Sequence, residues 1–121
     1  MSITTYTSFP PEMKGPSNKI GNEYHSSDKI EGFVYDGADG SQMIYWECNV
    51  DGISEEHTHR YGEYMTVVQG EYTVGINKKK YRITPGKEIF IPAHIPHSGT
   101  YKKHTRTIHW FGGKRAERET R

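Results

Sequence analysis

No leucine occurs anywhere in the 121 residues of this chain. Leucine is a strong helix former, whereas Val, Ile, Thr, Tyr, Phe and Trp suit a pleated, half-buried surface. Those are the residues found here, with nine tyrosines among them. From residue 30 they come in short runs separated by turn formers. The runs cover residues 30–35, 42–50, 63–69, 71–76, 80–83, 88–91, 98–102 and 106–111. Asp36-Gly37-Ala38-Asp39-Gly40, Asp51-Gly52, Gly70, Thr84-Pro85-Gly86 and Pro92 punctuate them. Asn77-Lys78-Lys79 reads as a hairpin turn. No segment of ten residues carries a helical period, and no repeat of solenoid length is present. Short strands at regular spacing predict an all-β domain, a sandwich or a barrel.

The flanks differ in composition. Residues 1–29 are rich in Ser, Thr, Pro, Gly and Lys, with Phe9-Pro10-Pro11 and Lys14-Gly15-Pro16 breaking any regular element. They are expected to form an irregular arm on the outside of the domain or on a partner subunit. A disordered arm and a swapped arm are the alternatives. Residues 112–121 carry charges of mixed sign and read as a solvated tail. The division is therefore an arm over 1–29, a β domain over 30–111 and a charged tail over 112–121.

Charge and cysteine content exclude several function classes. Sixteen basic and fifteen acidic residues leave a net charge of +1, too little to gather nucleic acid or a membrane surface. The single cysteine, Cys48, permits no intrachain disulfide and reads as a small buried residue. No apolar run approaches the roughly 18 residues of a membrane span. Met1 to Tyr6 lack the basic start and apolar stretch of a signal peptide. A soluble, cytoplasmic protein is the expectation.

Chemistry concentrates between Gly52 and Glu63. Residues two apart in a strand share a face, so His57 and His59 can aim both imidazoles at one point. Gly62 allows a tight bend that returns the Glu63 carboxylate to the same point. Two neutral nitrogens and a carboxylate make a partial site for Mn, Fe, Co, Ni, Cu or Zn. A fourth ligand should come from elsewhere in the chain. His97, after the turn stiffened by Pro92 and Pro96, begins a strand that can lie beside the one carrying His57.

These residues resemble the two motifs of the cupin family. The first runs glycine, a short spacer, His-x-His, three or four residues, Glu, six residues, glycine, and is met by Gly52, His57, His59, Glu63 and Gly70. The second runs glycine, five residues, proline, x, glycine, two residues, His, and is met by Gly86, Pro92 and His97. The spacer before His57 is four residues instead of five, His94 stands where glycine is usual, and Tyr101 stands where asparagine is often found. The resemblance covers roughly residues 40 to 111. It implies a double-stranded β-helix, or jelly-roll barrel, and one divalent transition metal (Mn, Fe, Ni, Cu, Co or Zn) on His57, His59, Glu63 and His97. It also implies a homodimer and a small-molecule substrate. The function implied is a dioxygenase, or an isomerase or lyase of sugar acids or keto acids. The alternative is a sugar-like ligand-binding or sensing module without catalysis.

Alternation along the last run puts Thr107, His109 and Phe111 on one face and Ile108 and Trp110 on the other. With the first set inward, His109 becomes the candidate catalytic acid/base. His94 and His104 read as loop residues, and His25 has no assignable role. Most of Tyr45, Trp46, Tyr64, Tyr72 and Phe90 are expected in the core or a dimer interface, with one or two lining the pocket that parity does not single out; Glu55 and Glu56 are expected on a surface loop, and Lys78-Lys79-Lys80 at a solvated hairpin tip.

Overall fold

The computed structural model describes residues 3–24 and 27–119. Three 3₁₀ turns, at Pro11–Met13, Pro16–Asn18 and Asn22–Tyr24, are the helical pieces among the described residues. No helix among the described residues is long and apolar enough to cross a membrane. Among the described residues nine strands follow: β1 (Ile30–Asp36), β2 (Gln42–Cys48), β3 (Gly52–His57), β4 (Glu63–Gln69), β5 (Tyr72–Ile76), β6 (Lys79–Ile83), β7 (Glu88–Ile91), β8 (His97–Tyr101) and β9 (Thr105–Phe111). They form two antiparallel sheets, ordered β1-β2-β9-β4-β7 and β3-β8-β5-β6.

The expected all-β class holds, but the double-stranded β-helix or jelly-roll barrel does not form. No ladder joins a strand of one sheet to a strand of the other among the described residues. The free edges are managed by other means. β3 carries exposed Glu55 and Glu56, and β6 carries exposed Lys79, Lys80 and Arg82, charges that discourage further pairing. β7 is only four residues long and stops at Pro92. β1 is capped by the N-terminal segment, through a bridge from Lys19 to Phe33 and the Ile20 N–H donating to the Gly32 carbonyl.

Period-two burial decides which side chains face the other sheet. Along β9, Thr105, Thr107, His109 and Phe111 are buried while Arg106, Ile108 and Trp110 are not. Along β4, Glu63, Met65 and Val67 point the same way. At one end the two sheets close on an apolar cluster of Met65, Val67, Val74, Ile83 and Ile91. Full burial of such a side chain contributes about 1.5–3 kcal/mol. At the other end the interior stays open. The β5–β6 hairpin turns through Asn77 and Lys78 at φ 48° and 69°, the conformation a two-residue hairpin loop demands.

Both flanks are tied to the five-stranded sheet. Phe9 packs on Tyr45 with the Arg106 guanidinium above its ring. Glu47, 4% exposed, accepts from the Ser8 hydroxyl and the Phe9 N–H and pairs with Lys14. After β9 the chain returns to the sheet. The Gln42 side chain accepts from the Arg115 and Ala116 N–H groups and donates to the Ala116 carbonyl, and Ala116 is buried.

Candidate metal centre

The site lies where the open ends of the two sheets face each other. β3 and β8 pair with His57 opposite His97. Glu63 opens β4 in the facing sheet. His59 lies two residues beyond the end of β3, so strand alternation is not what aligns it with His57. An irregularity between Ser54 and His57 and the turn after β3 bring the rings together instead, at 4.7 Å between centroids. Gly62 serves by its lack of a side chain, since a Cβ there would stand 2.5 Å from the Phe90 ring.

His57, His59, Glu63 and His97 each bring one ligand atom to within 4.8 Å of the others. The ring orientations are set by the backbone. His57 Nδ1 lies 2.7 Å from the Glu55 carbonyl, and His97 Nδ1 lies 2.8 Å from the Ile95 carbonyl. A carbonyl accepts, so Nδ1 carries the proton and each Nε2 is left with its lone pair. His59 is held by stacking on Tyr61 at 5.2 Å and by its edge contact with Phe111. The Nε2 atoms of His59 and His97 are buried and make no hydrogen bond. They approach Glu63 Oε1 at 3.4 and 3.2 Å without the alignment a hydrogen bond needs. Buried polar atoms are rarely left so. Unpartnered nitrogens and a carboxylate oxygen converging on one point fit a divalent transition ion of unspecified identity.

His109 backs this group. Its Nδ1 donates to Glu63 Oε2 at 2.9 Å, and its Nε2 accepts from the Thr107 hydroxyl at 2.9 Å. Burial disfavours the Glu63 anion, yet the imidazoles of His109, His59 and His97 hold its carboxyl well below the usual range. His57 is pushed down by burial, then by the neighbouring His97 and His59. Burial also opposes a charge on His97, but the Glu63 carboxylate outweighs it and raises that group.

A cavity of about 410 Å³ opens onto the cluster, within the range of small-molecule sites. Trp46, Met65, Thr107 and His109 line it from one sheet, and Ser54, Tyr72 and Tyr101 are among its residues from the other. Cys48 also faces it; burial pushes that thiol up to about 12, so it is neutral. Thr107 was readable from the parity that placed His109 inward. Trp46 and Tyr72 belong to the five aromatics of which one or two are expected on the pocket wall, parity not deciding which, and Arg115, also on the wall, had no sequence signal. Phe90, expected in a core or interface, is 58% exposed. Glu55 and Glu56 lie in β3 instead of a loop. His94 and His104 are exposed turn residues at φ 67° and 69°, apart from the cluster. His25 falls outside the described residues.

The Cupin domain family model matches residues 44–111. No curated protein matches the chain. Solved structures do. An RmlC-like cupin from Shewanella frigidimarina superimposes with a TM-score of 0.68 at 18% identity, over 93% of this chain and 94% of that one. KdgF from Halomonas sp. gives 0.66 at 20% identity, over 79% and 93%. An oxalate decarboxylase of Bacillus subtilis gives 0.62 at 15% identity, over 76% of this chain but 28% of the larger protein. At these identities the likeness is one of fold.

Proposed function

The chain belongs to the cupin family, and on that premise we propose that it is a metal-dependent enzyme acting on a small organic molecule. The mononuclear centre is held by His57, His59, Glu63 and His97. The observation that carries this reading is the pair of buried, unbonded Nε2 atoms on His59 and His97 facing Glu63 Oε1 at the end of a cavity. A dioxygenase, or an isomerase or lyase of sugar acids or keto acids, is the reaction class. Fold relatives that include an oxalate decarboxylase and a salicylate 1,2-dioxygenase support a catalytic reading.

A first-row dication in this donor set supplies Lewis acidity toward a substrate oxygen or, when redox-active, one-electron chemistry. The protein does the rest. The carbonyls of Glu55 and Ile95 hold two imidazoles in the tautomer that presents Nε2. His109 holds Glu63 in orientation. Because His109 also lines the cavity, it is the group we assign to move a proton, at Nε2, once the Thr107 hydroxyl turns away. Met65, Val74 and Ile91 exclude water from the inner wall. A homodimer in the cytoplasm belongs to the same proposal, supported by the exposed Phe90 on edge strand β7 and by the free thiol of Cys48.

The test is metal analysis of untagged protein, followed by oxygen uptake with catechols, flavonols and diketones and by turnover of keto and sugar acids. One equivalent of metal and one turnover lost in Glu63→Ala are expected. Metal lost in that variant with ligand binding and every turnover unchanged would leave the binding-module reading in its place.

A further inference from the structure

We propose that Arg115 is the anion anchor of this cavity, and that the substrate is a small organic acid whose carboxylate it grips while another oxygen donor reaches the metal centre. The inference rests on the proposed metal-dependent function and narrows it to a substrate class.

Arg115 lines the same cavity as His57, His97 and His109. Its backbone is fixed, since its N–H donates to the Gln42 Oε1 at 2.7 Å. Gln42 is 1% exposed, and its side chain is fully engaged by Asp36, Arg115 and Ala116. The guanidinium carbon stands 5.9 Å from the centre of the Tyr24 ring, a cation–π contact that supports a charge without consuming its donors. Among the described residues those donors are free. Arg82 is bonded to Glu71, Arg106 to Gln69, and Arg118 to Asp36 and Asn18. Arg115 makes no side-chain hydrogen bond or ion pair among the described residues. Two other carboxylates on the wall, Glu23 and Glu55, are exposed, and neither pairs with it.

Glu23 and Glu55 are exposed and screened by solvent, so the balance over the less exposed groups gives the ligand its sign. A dication on three neutral imidazoles and one carboxylate retains one positive charge, and Arg115 adds a second on the wall of one cavity. Half-buried like charges repel, and an anion between them removes that cost. The planar guanidinium fork matches a carboxylate bidentately.

Isothermal titration on the metal-loaded protein tests this with the monoamides of malonate, succinate and glutarate, which keep one carboxylate and one further oxygen donor, against their diamides. At least one monoamide should bind about tenfold or more tighter than its diamide, the worth of a charged bidentate pair. Arg115→Gln should abolish that preference at unchanged metal content and unchanged circular dichroism, and Arg115→Lys should restore part of it. Equal affinities of wild type and Arg115→Gln for the monoamides, or no preference for monoamide over diamide in wild type, would overturn the anchor. A protein that takes up no metal would instead overturn the metal-dependent function; glutarate binding to metal-free wild type and Arg115→Gln then decides the anchor by itself, equal affinities again counting against it.

Discussion

His109 Nδ1 meets Glu63 Oε2 at 2.9 Å between two neighbouring strands of one sheet. Met65 is the direct cross-strand partner of His109, and Phe111 that of Glu63, so the contact is a diagonal one. It fixes the carboxylate by its far oxygen and turns Oε1 toward His59 and His97. The carboxylate is thus oriented before any ion arrives.

His109→Leu removes that support and leaves Glu63 Oε2 and the Thr107 hydroxyl without partners. Loss of such an outer hydrogen bond weakens metal binding by about 10- to 100-fold. Unpaired buried groups cost about 1–3 kcal/mol. Chelator competition and urea denaturation read the two effects separately. Unchanged metal affinity would mean that Glu63 orients without His109.

Metal should act as a stabilising ligand of the folded chain. At a free concentration 100 times Kd, the gain is about 2.7 kcal/mol, seen as a rise of several degrees in Tm. His57→Ala removes one donor of four. The variant should hold well under one equivalent of metal and lose the Tm response, while its metal-free Tm stays near that of wild type. A preserved response would place the ion elsewhere.

His94 occupies a left-handed position at φ 67° and is exposed, while its N–H donates to the His59 carbonyl at 2.7 Å. The side chain adds strain and makes no hydrogen bond, ion pair or ring contact among the described residues. An L residue in this region costs about 1–2 kcal/mol, and glycine gives back about 0.5–1 through its larger unfolded-state entropy. His94→Gly should therefore stabilise the protein by about 0.5–1 kcal/mol in denaturant midpoint and leave metal content unchanged. A loss of stability would show that the imidazole has a partner in solution.

Strand-forming runs located eight of the nine strands because their buried faces leave a period of two in the sequence. β3 escaped that list. Gly52-Ile53-Ser54-Glu55-Glu56-His57 is an edge strand whose Ile53 is 71% exposed, so no apolar face marks it. The four converging side chains were legible because motif spacing sets which strands meet, and His57 does stand opposite His97. Closure was not legible. Alternation tells which face is buried, whereas a barrel depends on whether edges such as β6 and β7 find partners. Nor was Arg115, whose place depends on Gln42, 73 residues earlier, catching the chain after β9.

Glu47 gives a pH signature independent of the metal centre. Burial raises its carboxyl, but the Phe9 N–H, the Ser8 hydroxyl and the Lys14 ammonium outweigh that and hold it below its ordinary 4.5. A folded-state value below the unfolded one means that the unfolded chain takes up the proton first. The stabilisation is therefore complete above about pH 4.5 and is lost as pH falls through the folded value. Glu47→Gln keeps the size but not the charge, so it should cost about 1–3 kcal/mol at pH 7. Glu63, whose carboxyl is also held low, is present in both proteins and cancels in the comparison. Urea midpoints of wild type and Glu47→Gln should converge as pH falls below 4.5; curves that stay parallel down to acid unfolding would show that the arm is not held by the Glu47 charge.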